Sequence, residues 1–347
     1  MSQKLLYLIS FVLVLGMAGN ALAVDTDWNN ASGDRRRDNP LNWSTGAVPT
    51  ADDKASIRND GVGPIIDSIT TAVCDNIPVG DWGFTNTLDI TGGSLTTNNW
   101  FIISYGSADE GTFNVSGGTT TVVGSGTDMT VGRSGVGRLN ISAGLIEVGD
   151  RLYVGSEPSG TGYITMTGGF ITIIDDLYAE DGTTYINVSG GVIDIGERIF
   201  LGNGTGGEAH LTMTGGSITL GQLMAVGRDG ASGEVHLDGG TLDIGYWLEM
   251  SGNASIDITG GTLIIDGDRI SDGVDRSIMP WINDGRISAY GSSGTLNVDY
   301  NTTNPGKTAL TQVRQLKVFS FFFKKIWLIR INQKRFGGDY LLKRFVV

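Results

Sequence analysis

Glycine pairs recur along the middle of the chain at intervals of 21–26 residues, and this recurrence restricts the possible folds more than any other feature. Two apolar residues with a polar residue between them precede each pair, and a second alternating run follows it. A self-similar period of this length is typical of a repeat architecture. The eight steps, one of which has alanine in first place, are Gly92-Gly93, Gly117-Gly118, Ala143-Gly144, Gly168-Gly169, Gly190-Gly191, Gly215-Gly216, Gly239-Gly240 and Gly260-Gly261.

The residues before each step alternate between apolar and polar, which indicates a β-strand with one buried and one solvated face. The positions four and two residues before the step are apolar in all eight repeats, and the position between them is always polar. The sixteen apolar residues are Leu88, Ile90, Phe113, Val115, Leu139, Ile141, Ile164, Met166, Ile186, Val188, Leu211, Met213, Val235, Leu237, Ile256 and Ile258.

Two more apolar pairs follow nearly every step, as in Ile171/Ile173 and then Leu177/Ala179. The pattern predicts an all-β chain that forms a single right-handed parallel β-helix, or β-solenoid. We expect three short strands per coil of about 24 residues, and about eight or nine coils plus caps. The second glycine of each step would turn the corner, because glycine accepts a positive φ. An up-and-down barrel is the alternative, although its strands need no fixed three-strand period.

The start of the chain differs from the repeats. Residues 1–23 have the features of a secretory signal, with a basic start, an apolar run and a small-residue cleavage site after Ala23. We therefore expect a secreted or cell-surface protein. Residues 24–80 are expected to form an N-terminal cap and the first coil, with Trp28 and Trp43 as plugs for the exposed end of the core.

The end of the chain changes character twice. The repeats are expected to occupy residues 81–305, in which Asp284-Gly285 marks a degenerate ninth coil and residues 295–300 a last strand. Residues 306–347 form a basic, aromatic tail. Three interpretations of this tail stay open, namely a disordered or artefactual segment, a basic interfacial helix and a poorly formed anchor.

The charge of the body limits its partners. Residues 24–306 hold 36 acidic and 13 basic residues, a net charge of about −23. An acidic body repels polyanions, which excludes nucleic acid and anionic membrane surfaces as partners. We expect no transmembrane span in the mature body, and the single cysteine, Cys74, allows no internal disulfide.

One group of outward positions departs from the usual Thr, Asn and Gly. Neighbouring coils would bring its members within roughly 5 Å of one another. Aromatic rings beside charged groups can pack on sugar rings and bind their hydroxyls, so the group is a candidate glycan-binding strip. Two other interpretations stay open: ion pairs and stacked rings that only stabilise the sheet, and acid/base hydrolysis by the adjacent carboxylates. The strip consists of Arg151, Tyr153, Asp176, Tyr178, Arg198 and Phe200.

The remaining reactive residues give no complete site, and no metal, cofactor or catalytic residue is predicted. The only two histidines, His210 and His236, fall on the wet face of neighbouring repeats near Glu234 and Asp238, and we interpret them as exposed ladder residues. An acidic loop after the last clear repeat matches neither the EF-hand nor the nonapeptide calcium spacing and is interpreted as a solvated turn. Its acidic residues are Asp266, Asp268, Asp272 and Asp275.

Two stretches of the repeats, residues 131–142 (VGRSGVGRLNIS) and 154–169 (VGSEPSGTGYITMTGG), resemble a known bacterial repeat. They are similar to the repeat of autotransporter (type V secretion) passenger regions and of exported proteins with a PEP-CTERM sorting tail. The opening around Trp28 and Trp43 also resembles the start of such proteins, so the resemblance covers roughly residues 25–300. It implies a parallel β-helix displayed outside the cell, and it implies no catalytic residues.

These observations favour a secreted or cell-surface structural or adhesive β-solenoid without catalytic activity. Its expected partners are extracellular polysaccharide or the cell-envelope surface. The alternative is a carbohydrate-binding or polysaccharide-degrading β-helix. The short Gly-Ser turns favour the structural or adhesive function, because they provide no long loops that could form the walls of a deep groove.

Overall fold

The alternating residues form the strands that the sequence predicts. The structure is a computed structural model, and it describes residues 23–59, 61–271, 273 and 276–314. Stacked parallel coils form a β-solenoid of about ten turns. All sixteen apolar residues that precede the steps are at most 2% exposed, so they line a core that runs through the coils. The predicted all-β solenoid is thereby confirmed.

Most strands belong to one wide sheet, which has 16 strands in the described part of the chain. Its strands lie on both sides of the glycine steps. They are β3 (Ile65–Ile66), β4 (Thr71–Cys74), β6 (Thr85–Thr97), β8 (Glu110–Val122), β10 (Val136–Val148), β12 (Thr161–Met166), β13 (Phe170–Ile173), β15 (Thr183–Val188), β16 (Val192–Ile195), β18 (Glu208–Leu220), β20 (Ser232–Ile244), β22 (Ala254–Ile258), β23 (Thr262–Asp266), β24 (Ile287–Ala289), β25 (Thr295–Tyr300) and β26 (Lys307–Val313).

The third strand of each coil contributes to a narrow sheet on another side of the solenoid. Its strands pair in parallel and in register, so that Thr130, Tyr153 and Tyr178 are direct neighbours in successive coils. The eight strands described are β5 (Ile77–Val79), β7 (Phe101–Ile103), β9 (Met129–Val131), β11 (Leu152–Val154), β14 (Leu177–Ala179), β17 (Ile199–Leu201), β19 (Leu223–Val226) and β21 (Trp247–Met250).

The glycine steps make the corner between the first two strands of each coil. In β6, β8, β10, β18 and β20 these two strands are one continuous 13-residue strand that bends at the step. The second glycine has a positive φ in seven of the eight steps, Gly261 being the exception. At Gly118 (φ +74°) a Cβ atom would lie 2.6 Å from the carbonyl of Gly92, so the corner needs glycine for its conformation and for space.

The N-terminal cap closes the first coil with aromatic side chains. β1 (Asp25–Asp27) pairs with β2 (Lys54–Ser56) beside a 3₁₀ turn at Pro40–Asn42. Trp28 and Trp43 are 1% and 2% exposed and meet edge to face at 5.3 Å, so they form the plug that the sequence predicts.

The other end of the solenoid departs from the regular coil. A short helix, α1 (Met279–Asn283), stands where a strand of the degenerate ninth coil would begin, and β24 then pairs with β22. A second 3₁₀ turn, at Arg228–Gly230, lies earlier in the chain, between β19 and β20. β25 and β26 form an antiparallel hairpin on β23, which covers the last edge of the wide sheet.

The predicted tail boundary falls inside this hairpin, because β26 continues the sheet to Val313. The basic tail beyond Arg314 and residues 1–22 of the predicted signal lie outside the described residues. The described part of the chain belongs to one compact unit.

Candidate functional site

The predicted strip lies together on the outer face of the narrow sheet. The rings of Tyr153 and Tyr178 stack at 5.3 Å with an interplanar angle of 14°, and those of Tyr178 and Phe200 at 4.7 Å and 6°. The register of β11, β14 and β17 sets this spacing, since the three residues are direct neighbours across the strands. Each stacked ring therefore uses part of its face on a neighbour in the same row.

Two charged residues of the strip, Asp176 and Arg198, pair with each other. Asp176 is fully buried and accepts hydrogen bonds from Nε (2.9 Å), Nη2 (2.6 Å) and the backbone N–H (3.0 Å) of Arg198. The Tyr178 hydroxyl also donates to Asp176 Oδ2 at 3.0 Å. Burial first, and then this hydrogen bond, raise the pKa of Tyr178 to about 12.

Phe200 is covered as well, although it was predicted as part of the binding surface. It is 3% exposed because the guanidinium groups of Arg198 and Arg228 lie over its ring at 5.4 and 5.5 Å. Leu223 and Ala225 form an apolar cluster with it. Asp176 and Phe200 thus stabilise the sheet, and Tyr153 is the member of the strip that lines an open surface.

Arg151 completes the paired row and makes a metal site there unfavourable. Its Nε lies 3.1 Å from Asp175 Oδ2. The carboxylates of Asp175, Asp176 and Glu197 come within 4.8 Å of one another, which is close enough for a cation. Arg151 and Arg198 already offset two of its three negative charges, and no further feature of the group points to a metal.

A hollow that was not predicted from the sequence lies at the first strands of the narrow sheet. Three rings with large exposed fractions surround it: Trp82 (75%), Trp100 (50%) and Tyr105 (42%). The hollow has a volume of about 340 Å³. Its other lining residues are Lys54, Asn76, Pro78, Asp81 and Ile102, and we call it the N-terminal hollow.

A buried carboxylate positions the two loops that carry these rings. Asp109, 2% exposed, accepts hydrogen bonds from the backbone N–H of Gly83 and from that of Gly106. Trp82 precedes the first glycine and has φ +62°, while Tyr105 precedes the second. The same carboxylate therefore fixes the loops on both sides of the hollow.

A second hollow of about 280 Å³, the central hollow, continues along the sheet and shares Trp100 and Ile102 with the first. Its remaining lining residues are Asp128, Thr130, Arg133, Tyr153, Ser156, Glu157 and Glu180. We refer to the two hollows together as the aromatic face. They adjoin at Trp100 and Ile102 over the outer surface of the narrow sheet.

Three carboxyl groups of the aromatic face have raised pKa values. Burial, followed by the charges of Asp181 and Glu157, raises the pKa of Glu180 from 4.5 to about 7. Burial and the nearby Asp150 raise the pKa of Asp128, and burial is the main cause of the raised pKa of Asp81. The aromatic face thus offers flat rings, hydrogen-bonding groups and three carboxyl groups whose pKa values are raised.

One of the missed rings could have been found from the sequence, and two could not. Trp100 lies eight residues after Gly92, which is the position that Arg151, Asp176 and Arg198 have in later repeats. The same position in the first repeat is Trp100, so the sequence pattern contains the information that places this ring. Trp82 and Tyr105 lie on loops after the third strand, and their placement depends on the distant Asp109.

The other residues singled out from the sequence lie elsewhere. Cys74 is buried, and burial raises its pKa to about 12, which makes the thiol unreactive. Asp268 accepts hydrogen bonds from the backbone of Ile270 and Ser271, as in a turn. Asp272 and Asp275 lie outside the described residues. His210 and His236 lie on the outer face of the wide sheet.

No protein-family model matches the chain, and no curated protein or solved structure matches it either. Within residues 23–59, 61–271, 273 and 276–314, every helix is too short or too polar to cross a membrane.

Proposed function

We propose that the protein is a secreted or cell-surface adhesin without catalytic activity, and that its solenoid is a rigid support for the aromatic face. The ligand we propose is extracellular polysaccharide. The carrying observation is that Trp82, Trp100 and Tyr105, all largely exposed, surround one hollow. Exposed rings grouped around a depression are typical of a binding surface, since isolated exposed apolar residues need no explanation but clusters do.

The chemistry of the hollow fits a sugar chain. A flat ring can pack against the C–H face of a sugar, while Lys54, Asn76 and Asp81 can bind its hydroxyl groups. The two hollows adjoin across several strands, which suits an extended polymer better than a small enclosed ligand. The net charge of about −23 on residues 24–306 favours a neutral polysaccharide over an acidic one.

The test measures retention of the full chain on immobilised neutral and acidic polysaccharides. Trp82→Ala and Trp100→Ala should each weaken binding by about three- to tenfold, the range for one aromatic contact. Phe170→Ala is the matched control, because Phe170 is 55% exposed but lies on the wide sheet. Unchanged retention in both tryptophan variants, with normal circular dichroism, would refute the proposal, and an equal loss in the control would indicate non-specific adsorption.

Polysaccharide cleavage is the second candidate, and the raised pKa of Glu180 favours it. A carboxyl group that titrates near pH 7 can act as a general acid, and Asp128 and Glu157 supply further carboxyls in the same hollow. The measurement is release of reducing ends from the polysaccharide that binds. Release by the wild type but not by Glu180→Gln, with binding retained, would replace the adhesin proposal by an enzyme.

A further inference from the structure

The two histidines of the chain lie on neighbouring strands of the wide sheet, away from the aromatic face. β18 and β20 each carry a Glu-x-His triplet, Glu208-Ala209-His210 and Glu234-Val235-His236. The register offsets them by two residues, so that His210 lies directly opposite Glu234. Residues two apart on a strand share a face, and the four polar side chains therefore project outward together.

Both ring nitrogens of His210 lie close to a carboxylate oxygen. Its Nε2 lies 3.0 Å from Glu208 Oε1, and its Nδ1 lies 3.2 Å from Glu234 Oε2. A carboxylate can only accept hydrogen bonds, and a neutral imidazole carries one N–H. In the neutral ring one nitrogen therefore presents a lone pair towards a carboxylate oxygen, and a cation between these two atoms would bind both.

We propose that this cluster is a divalent transition-metal site, with His210 Nδ1, Glu234 and His236 Nε2 as ligands. His236 Nε2 lies 3.8 Å from the same Glu234 Oε2 that contacts His210. Ligands about 2.0–2.2 Å from a tetrahedral Zn²⁺ are about 3.3 Å apart, which is close to both separations from Glu234. The His210 and His236 nitrogens lie more than 4.8 Å apart, so an exposed side chain has to turn before all three ligands reach one ion. Glu234 and His236 are 48% and 45% exposed, so both can rotate to surround one ion.

Two further contacts prepare His210 for this role. Its ring stacks on Tyr185 at 5.0 Å with an interplanar angle of 8°, which fixes its plane. Glu208 can accept the Nε2 proton and so leave Nδ1 as the free lone pair. A metal-ligating histidine commonly donates its other N–H to a carboxylate in this way. Glu208 is accordingly a positioning residue.

The ligand set identifies the class of ion. Two imidazoles and a carboxylate suit Zn²⁺ and its neighbours, whereas Ca²⁺ and Mg²⁺ prefer sets of oxygen ligands. Of the other nearby carboxylates, Asp257 lies opposite His236 but accepts hydrogen bonds from Ser288 Oγ and from the Gly291 backbone. Asp238 accepts one from Thr259. Water is then the expected remaining ligand.

The test uses the full chain without a histidine tag, so that its spectrum contains two imidazole spin systems. Zn²⁺ should bind with one-to-one stoichiometry in calorimetry and shift the signals of both rings, and Mg²⁺ should not. His210→Asn and His236→Asn should each abolish tight binding. Glu208→Gln should weaken it about 10- to 100-fold and change the ¹⁵N shifts that report the His210 tautomer.

Glu249→Gln is the matched control, because Glu249 is an exposed carboxylate on the narrow sheet and should leave Zn²⁺ affinity unchanged. Absence of Zn²⁺ binding by the wild type would overturn the proposal. Binding that persists in both histidine variants would overturn it too, since the ion would then lie elsewhere.

Discussion

The ion pair of Asp176 and Arg198 gives a stability prediction that can be worked from the structure. Asp176 is fully buried and accepts four hydrogen bonds, three from Arg198 and one from Tyr178. Arg198→Met removes the two bonds from the guanidinium, while the backbone N–H of residue 198 and the Tyr178 hydroxyl remain. The carboxylate then stays buried with half of its hydrogen bonds.

Removing one partner of a buried ion pair costs about 3–5 kcal/mol. The Arg198 side chain is 36% exposed, so water can enter the space that it leaves and reduce the loss. We therefore expect Arg198→Met to lower the free energy of unfolding by about 2–3 kcal/mol. Asp176→Asn should cost less, about 1–2 kcal/mol, since the partly exposed guanidinium can be hydrated.

Urea unfolding followed by circular dichroism measures these losses. The double variant should lose at least about 1 kcal/mol less than the sum of the single variants, because the two groups interact directly. Arg228→Met is the control: Arg228 lies over the same Phe200 ring but pairs only with the exposed Asp229, so its loss should be about 0–1 kcal/mol. A loss below about 0.5 kcal/mol in Arg198→Met, or strict additivity, would refute the reasoning.

Two further predictions concern the corner glycines and the central hollow. Gly118→Ala should destabilise the fold by about 2 kcal/mol or more, because alanine disfavours a positive φ and its Cβ would meet the backbone of Gly92. Gly117→Ala should cost less because Gly117 has no positive φ, although its Cβ would also meet backbone, at the Thr91 carbonyl. Chemical denaturation compares the two variants. Between pH 4.5 and about 7 the folded state holds a proton on Glu180 that the unfolded state has lost. The free energy of unfolding should therefore fall as pH rises through this window, and Glu180→Gln should remove that fall in urea titrations at several pH values.

The fold could be predicted because every coil contributes apolar side chains to one continuous core at the same positions of the repeat. Leu139 pairs with Ile164, and Ile164 with Ile186, so any polar residue at these positions would be buried without a partner. The exposure of the outward residues could not be predicted in this way. Phe200 is outward in sequence pattern yet buried, because Arg198 from its own coil and Arg228 from the next cover its ring.

Side chains at the same position in successive coils stack in a column. The candidate sites lie where such a column ends at a residue of a different chemical type. Rings that stack on one another lose part of the face that a ligand would need, as Tyr178 does between Tyr153 and Phe200. The central hollow lies at the end of that row, where the smaller Thr130 precedes Tyr153.

The same reasoning applies to the column on the wide sheet. Tyr163, Tyr185 and His210 stack in succession, and the next position is Glu234, which cannot stack and brings a carboxylate oxygen to the imidazole. The sequence shows both histidines, but only the register places His210 opposite Glu234 instead of His236. In a solenoid, a uniform column therefore stabilises the stack, and ligand binding is expected at the coil where the uniformity ends.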